Sequence, residues 1–347
     1  MLALQNIVLV SSLFLSAVAH PVHQLRELTI VGRDQSARVV RSETTAAAAA
    51  AGLEVLSSGN DAFRKNLADN DPQLLQKLAT DGQAPPFMFL GCSDSRVSEA
   101  SVFNAKPGTL FTQRNIANQY QRNDINAQSV LSYAVSELGV NHVIVMGHYG
   151  CGGVGAAIAS APTANVDAAN GAVQNWIEPI REILQSSNRT ELVELRTKNA
   201  GLAVVEEPDI KDPGFRALVE ENVKASVRRI AADSVITNHF ALLQQGESTA
   251  AERRASEEKP PQDVFIHGFV YDIETGIVQD LGVSVGPAGK AIPSIPFASV
   301  AKAAVESAAA HDSETPKPAI TVLELPVIQA RCGTLCKAKR SLVSLWY

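Results

Sequence analysis

The stretch DINAQSVLSYAVSELGVNHVIVMG, residues 124–147, changes period partway along. In its first part Ala127, Val130, Leu131, Ala134 and Leu138 recur at the three- and four-residue spacing of one helix face. Asp124 stands where a helix N-cap belongs, and Gly139 where the helix ends. Residues 141–147 then form a short apolar run closed by glycine, the pattern of a buried strand. Upstream, GTLFTQRN (108–115) reads as a second short strand, and residues 86–90 as a first one ended by Gly91. Strands alternating with helices predict an α/β fold with a mostly parallel central sheet flanked by helices. Further amphipathic helices are expected over 173–184, 215–230 and 233–243, with a helical lead-in over 53–78. The stretch DVFIHGFVYDIETGIVQDLGVSV reads as a hairpin turning at Glu274, Thr275 and Gly276, which adds an antiparallel edge strand.

Chemistry-bearing residues cluster at the carboxyl ends of two of these strands, the edge where open α/β sheets bind ligands. FLGCSDSR (89–96) places Cys92, Asp94 and Arg96 after the first strand, and GHYGCGGVGAA (147–157) places His148 and Cys151 after the third. Gly150, Gly152 and Gly155 also satisfy the G-x-G-x-x-G dinucleotide pattern. That pattern requires an acidic residue about 20 positions on, at the end of the next strand. Here the region is GAVQNWIEPIRE, a helical pattern, so the match is incidental. Two thiolates and an imidazole are instead what Zn²⁺ prefers, and three such ligands leave a fourth tetrahedral position free. The set converges only if the first and third strands are neighbours, and the glycines would then let backbone and substrate approach the metal. The spacing alone leaves open a lone histidine with two unrelated core cysteines.

The chain has 347 residues, 46% of them hydrophobic and 19% charged, with a formal net charge of −6. An acidic balance without a basic stripe argues against nucleic acid as a partner. Four cysteines, Cys92, Cys151, Cys332 and Cys336, are too few for a disulfide framework at this length. The apolar segment over 7–19 closes on Ala17-Val18-Ala19, the small-residue pattern of a signal peptide cleavage site, so secretion is expected, with a mitochondrial presequence as the alternative. At thirteen residues it is shorter than the roughly 20 that a membrane span requires. The expected organisation is a signal peptide over 1–19, a poorly ordered leader over 20–52, a catalytic domain over 53–285 and an extension of unassigned role over 286–347. Asn188 opens an N-x-T glycosylation sequon.

CSDSR, PGTLFTQRNIAN and GHYGCGGV, in that order, resemble the motifs of the β-class carbonic anhydrases. NWIEPIREI, ENVKASVRRI and IHGFVYDIETG are similar to later segments of the same family, and the resemblance covers about residues 56–285. It implies Zn²⁺ held by Cys92, His148 and Cys151, with Asp94 and Arg96 as a dyad beside the metal. The implied reaction is reversible hydration of CO₂ to bicarbonate and a proton, by a homodimer or higher homo-oligomer. In many members of the family the aspartate also swings onto the metal at low pH. Some bicarbonate-regulated members carry a tryptophan where this chain has Phe89, while Arg114 and Tyr271 match residues of such regulatory pockets. Two rival functions remain: hydrolysis of carbonyl sulfide or carbon disulfide on the same site, and a non-catalytic zinc or thiol protein. A purely structural metal site has no need of a charged dyad, which counts against the second.

Overall fold

The computed structural model describes residues 35–162, 167–244 and 261–300. Backbone contacts divide the chain after Lys77. In the first unit α1, Gln35–Asn70, runs straight through the boundary expected at residue 52. The physical reason is the alanine run at 46–51: alanine has the highest helix propensity, so a low-complexity stretch of it continues a helix. From Leu53 onward the helix carries exposed apolar side chains, Leu53, Val55, Leu56 and Phe63 among them, whereas Leu67 is buried. The helix α2, Leu74–Asp81, spans the division. The expected signal peptide and the Cys332 and Cys336 pair lie outside the described residues.

In the second unit β1, Phe87–Cys92, leads through the short helix α3, Glu99–Val102, to β2, Leu110–Asn115. Helix α4, Ile125–Ser132, continues as a π-helical turn, Tyr133–Leu138, and then comes β3, His142–His148. The Asp124 carboxylate accepts from the Asn126 amide, and Gly139 closes the helix at φ 65°, so both signals at the ends of this helix act as read. Helices α5, Gly152–Ile158, α6, Ala168–Ser186, α7, Thr190–Asn199, α8, Pro213–Ala231, and α9, Ser234–Gln244, precede the hairpin β4, Phe265–Tyr271, and β5, Val278–Asp280. The sheet order is β2-β1-β3-β4-β5, parallel except for the antiparallel β4-β5 edge pair.

Strand alternation then sorts the side chains. Met88, Leu90, Val143, Val145 and Ile266 pack with Leu131, Val223, Val227 and Ile230 of the covering helices. Phe89, Ile144, Met146 and Phe269 pack with Val97, Ile295 and Phe297. Two strand ends and one helix differ from the sequence reading: β3 runs past Gly147 to His148, as β1 runs past Gly91. Gly91 does not end β1, which continues to Cys92; a Cβ at Gly91 would collide with the Phe89 ring, so the glycine makes room for that ring within the strand. Helix α7 escapes periodicity because only Leu192 and Leu195 among its ten residues are buried, too few to mark an apolar stripe. Among the described residues no helix is long and apolar enough to cross a membrane. Asn188, in the turn before α7, is exposed.

Candidate metal centre

β1 and β3 pair in parallel, with Gly91 opposite Met146, so Cys92 and His148 emerge side by side from neighbouring strand ends. Cys151 follows at the N-cap of α5. All three side chains are buried, and their ligand atoms lie within 4.8 Å of one another. The Cys92 and Cys151 Sγ atoms are 3.9 Å apart. Two sulfurs each about 2.3 Å from one tetrahedral zinc would be separated by about 3.8 Å, so the spacing fits that ion. The histidine fits as well. Its Nδ1 lies 3.0 Å from the Tyr149 carbonyl oxygen, which only accepts, so Nδ1 carries the proton. The Nε2 lone pair is left buried and without a hydrogen-bond partner, the condition a metal would relieve.

The thiols carry the same signature. The hydrogen bond from Cys151, with His148 beside it, holds the Cys92 thiol down at about 4 despite burial. That contact with Cys92, together with burial, pushes Cys151 up. The pair by itself therefore keeps one proton, and a second thiolate becomes favourable only beside a cation.

Asp94 and Arg96 form a fork next to this cluster. Arg96 Nε donates to Asp94 Oδ1 at 3.0 Å and Nη2 to Oδ2 at 2.6 Å, while the Arg96 amide donates to Oδ1 at 2.9 Å. The Arg96 hydrogen bonds hold the Asp94 carboxyl well below the ordinary carboxylate range, to about 2. Oδ2 also stands 3.7 Å from His148 Nε2, which places the dyad at the ligand set. Arg96 Nη2 reaches on to the Gly150 carbonyl at 3.0 Å and so ties the loop after β1 to the loop after β3. Gly150 has φ +70°, where a side chain is strained, and a Cβ there would come within 2.5 Å of Ile210 Cδ1. Neighbouring side chains, not substrate, claim the space at this glycine and two others. A Cβ on Gly153 would meet Ile116, and one on Gly155 the Glu207 carboxylate.

Two further layers of support have little or no local sequence signal. Arg114, on β2, donates to the carbonyls of Cys92 at 2.8 Å, Asp94 at 2.7 Å and Val97 at 2.8 Å. Its role here is to fasten the site loop. Tyr149, whose carbonyl orients His148, donates from its hydroxyl to Glu220 at 2.9 Å. Glu220 in turn accepts from Arg189 at 2.6 Å, and Arg216 lies 3.4 Å over the Tyr149 ring. Tyr271 acts through its backbone, accepting from the Tyr149 amide at 3.0 Å. Phe89 is core, set edge-on to Phe103.

Arg114→Ala frees three carbonyls and lets the 92–97 loop relax. A displacement of about 1 Å at a reacting group can cost about 10²-fold in rate, so the turnover of any reaction at this site should fall by that order. Content of any metal held by the cluster should stay the same, because Cys92, His148 and Cys151 remain on β1, β3 and the start of α5. Arg114→Lys should recover little, since an ammonium on a flexible stem cannot reproduce the planar fork. Paired measurements of kcat and metal content check this.

A mostly parallel α/β sheet with two thiols and an imidazole gathered beyond adjacent strand ends defines an α/β protein with a candidate metal centre. A family model described as carbonic anhydrase matches residues 87–278. The chain is 31% identical over 215 residues to a carbonic anhydrase of Emericella nidulans, covering 61% of this chain and 76% of that protein. To a carbonic anhydrase of Candida albicans it is 26% identical over 231 residues, covering 67% and 68%. Among solved structures, the Coccomyxa β-carbonic anhydrase in complex with acetazolamide superposes with TM-score 0.50 at 30% identity, over 67% of this chain and 87% of that one. The β-carbonic anhydrase CafA of Aspergillus fumigatus does so with TM-score 0.50 at 28% identity, over 70% and 93%. The chain belongs to the β-class carbonic anhydrase family.

Proposed function

We propose that this carbonic anhydrase holds Zn²⁺ on Cys92, His148 and Cys151 and hydrates CO₂ reversibly, CO₂ + H₂O giving HCO₃⁻ + H⁺. The observation that carries the metal is the buried, unpartnered Nε2 of His148 facing two thiols whose Sγ atoms are 3.9 Å apart. When bound there, Zn²⁺ would lower the pKa of a coordinated water to about 7, a value known from the unrelated three-histidine class of carbonic anhydrases, and so supply hydroxide at neutral pH. The protein's own groups do the rest. Tyr149 fixes the histidine tautomer, the low pKa of Cys92 makes it an anionic ligand, and Asp94 Oδ2 accepts a hydrogen bond from the attacking water and orients it. Arg96 keeps that carboxylate ionised and in place.

Stopped-flow CO₂ hydration on metal-replete protein tests the reading. Rapid hydration with about one zinc per chain supports it. Hydrolysis of carbonyl sulfide with no CO₂ hydration would favour that rival, and zinc without either activity a structural role. Within the same reading we take the active form to be a homo-oligomer, checked by light scattering, and the 1–19 leader to direct secretion. Native protein whose amino terminus still begins at Met1 in the cytosol would remove the secretion claim.

A further inference from the structure

A cleft of about 770 Å³ opens between α6, the end of α8 and the segment before α4, and it shares no residue with the metal centre. Three arginines line it: Arg122 from the segment before α4, and Arg228 and Arg229 from the last turn of α8. In a chain of net charge −6 such convergence calls for a cause. Arginines in a last helical turn ordinarily complement the helix dipole, and that would account for Arg228 and Arg229. It does not account for Arg122, which comes from another element. Nor does it account for Nη1 of Arg229, which is buried with no hydrogen-bond partner. Among the described residues none of the three guanidinium groups donates a hydrogen bond or enters an ion pair. Burial lowers the pKa of Arg229, Glu182 opposes the shift, and repulsion from its helix neighbour Arg228 and from Arg122 of the segment before α4 adds to it.

We propose that this cleft binds a phosphorylated small molecule through its phosphomonoester dianion. Three guanidinium charges against the single carboxylate of Glu182, which also lines the cleft, leave an excess of two, which a dianion neutralises. Planar guanidinium forks match phosphate oxygens two at a time; Arg122 and Arg228 are exposed and Arg229 is half-buried, and its buried Nη1 is the one donor of the three that stays costly until such an oxygen arrives. The volume exceeds what inorganic phosphate fills. The apolar wall of Ile183 and Pro179 suits an organic group attached to it.

Isothermal titration calorimetry of the full-length, zinc-loaded protein with phenyl phosphate and with inorganic phosphate provides the test. One site per chain is expected, with phenyl phosphate bound more tightly and both weakened by added salt. Arg229→Gln and Arg122→Gln should each weaken binding at least tenfold while leaving CO₂ hydration without the probe unchanged. Glu182→Gln should tighten it, a gain that misfolding cannot imitate. The Cys151→Ala variant should bind phenyl phosphate as the parent does, which separates this site from an anion at the metal. No binding, equal binding by the Arg229 variant, or complete displacement by bicarbonate at the same concentration overturns the proposal. A failure of zinc loading or of hydration leaves it standing, because its residues are not part of that centre.

Discussion

Cys151→Ala is expected to lose the zinc proposed for this centre and, with it, CO₂ hydration down to the uncatalysed background, a fall of roughly 10⁶-fold or more on the scale of enzymatic acceleration. Removing the thiol leaves Cys92 and His148, and two ligands do not hold Zn²⁺ against a competing chelator. The loss should not come from collapse of the fold. Cys151 is buried at the start of α5 in a cluster with Cys92, Tyr149 and Val154, but alanine removes only its sulfur, and the other two core clusters do not include it. Unchanged far-ultraviolet circular dichroism alongside absent metal would show this. Cys151→Ser, whose hydroxyl is a far weaker soft-metal ligand, should behave almost as badly. A variant that runs at the parent rate, or metal-free parent protein that does, would remove Cys151 from the ligand set and the proposed chemistry with it.

Why these residues are legible without coordinates follows from where they sit. Cys92 and His148 are the last residues of β1 and β3, and Asp94, Arg96 and Cys151 follow them within four positions, so the apolar runs that announce the strands also locate the site. One further fact, that β1 and β3 are neighbours, brings the loops together. The supporting residues require more. Arg114 reaches the 92–97 carbonyls because β1 and β2 pair with Cys92 opposite Asn115, and a one-residue slip in that register would point its side chain to the other face. Tyr149 lies within GHYGCGGV, but its partners Glu220 and Arg189 stand 71 and 40 positions away, and nothing local marks either as belonging to the site. Arg122 and Arg229 are similarly invisible as a pair until α8 is laid beside the segment before α4. The alanine run at 46–51 is the opposite case, a low-complexity spacer that composition alone leaves either helical or disordered and that lies within α1.

Asp94→Asn separates holding the metal from using it. Cys92, His148 and Cys151 are untouched in this variant, so zinc should remain at about one per chain. The amide keeps the shape of the carboxylate but not the charge that Arg96 grips through two oxygens, and its NH₂ group donates where Oδ1 or Oδ2 accepts. Hydration should therefore fall by about 10²–10⁴-fold, the usual contribution of a positioned acid or base. The pH profile carries a second test. Because the Arg96 fork depresses the Asp94 pKa to about 2, the carboxylate stays ionised throughout the neutral range. For the same reason, the dyad's contribution to stability is fully present above the ordinary carboxylate pKa of about 4 and is lost as pH falls through the depressed value. With both carboxylate oxygens engaged by Arg96, the swing of this residue onto the metal is opposed, and the parent's rate should rise with pH no more steeply than a single proton allows. A steeper rise that Asp94→Asn flattens would show that the fork opens and the carboxylate closes the site at low pH. Retained zinc together with the parent rate at every pH would mean that the dyad takes no part in the reaction, and Arg96 would then be only a tie between Asp94 and the Gly150 carbonyl.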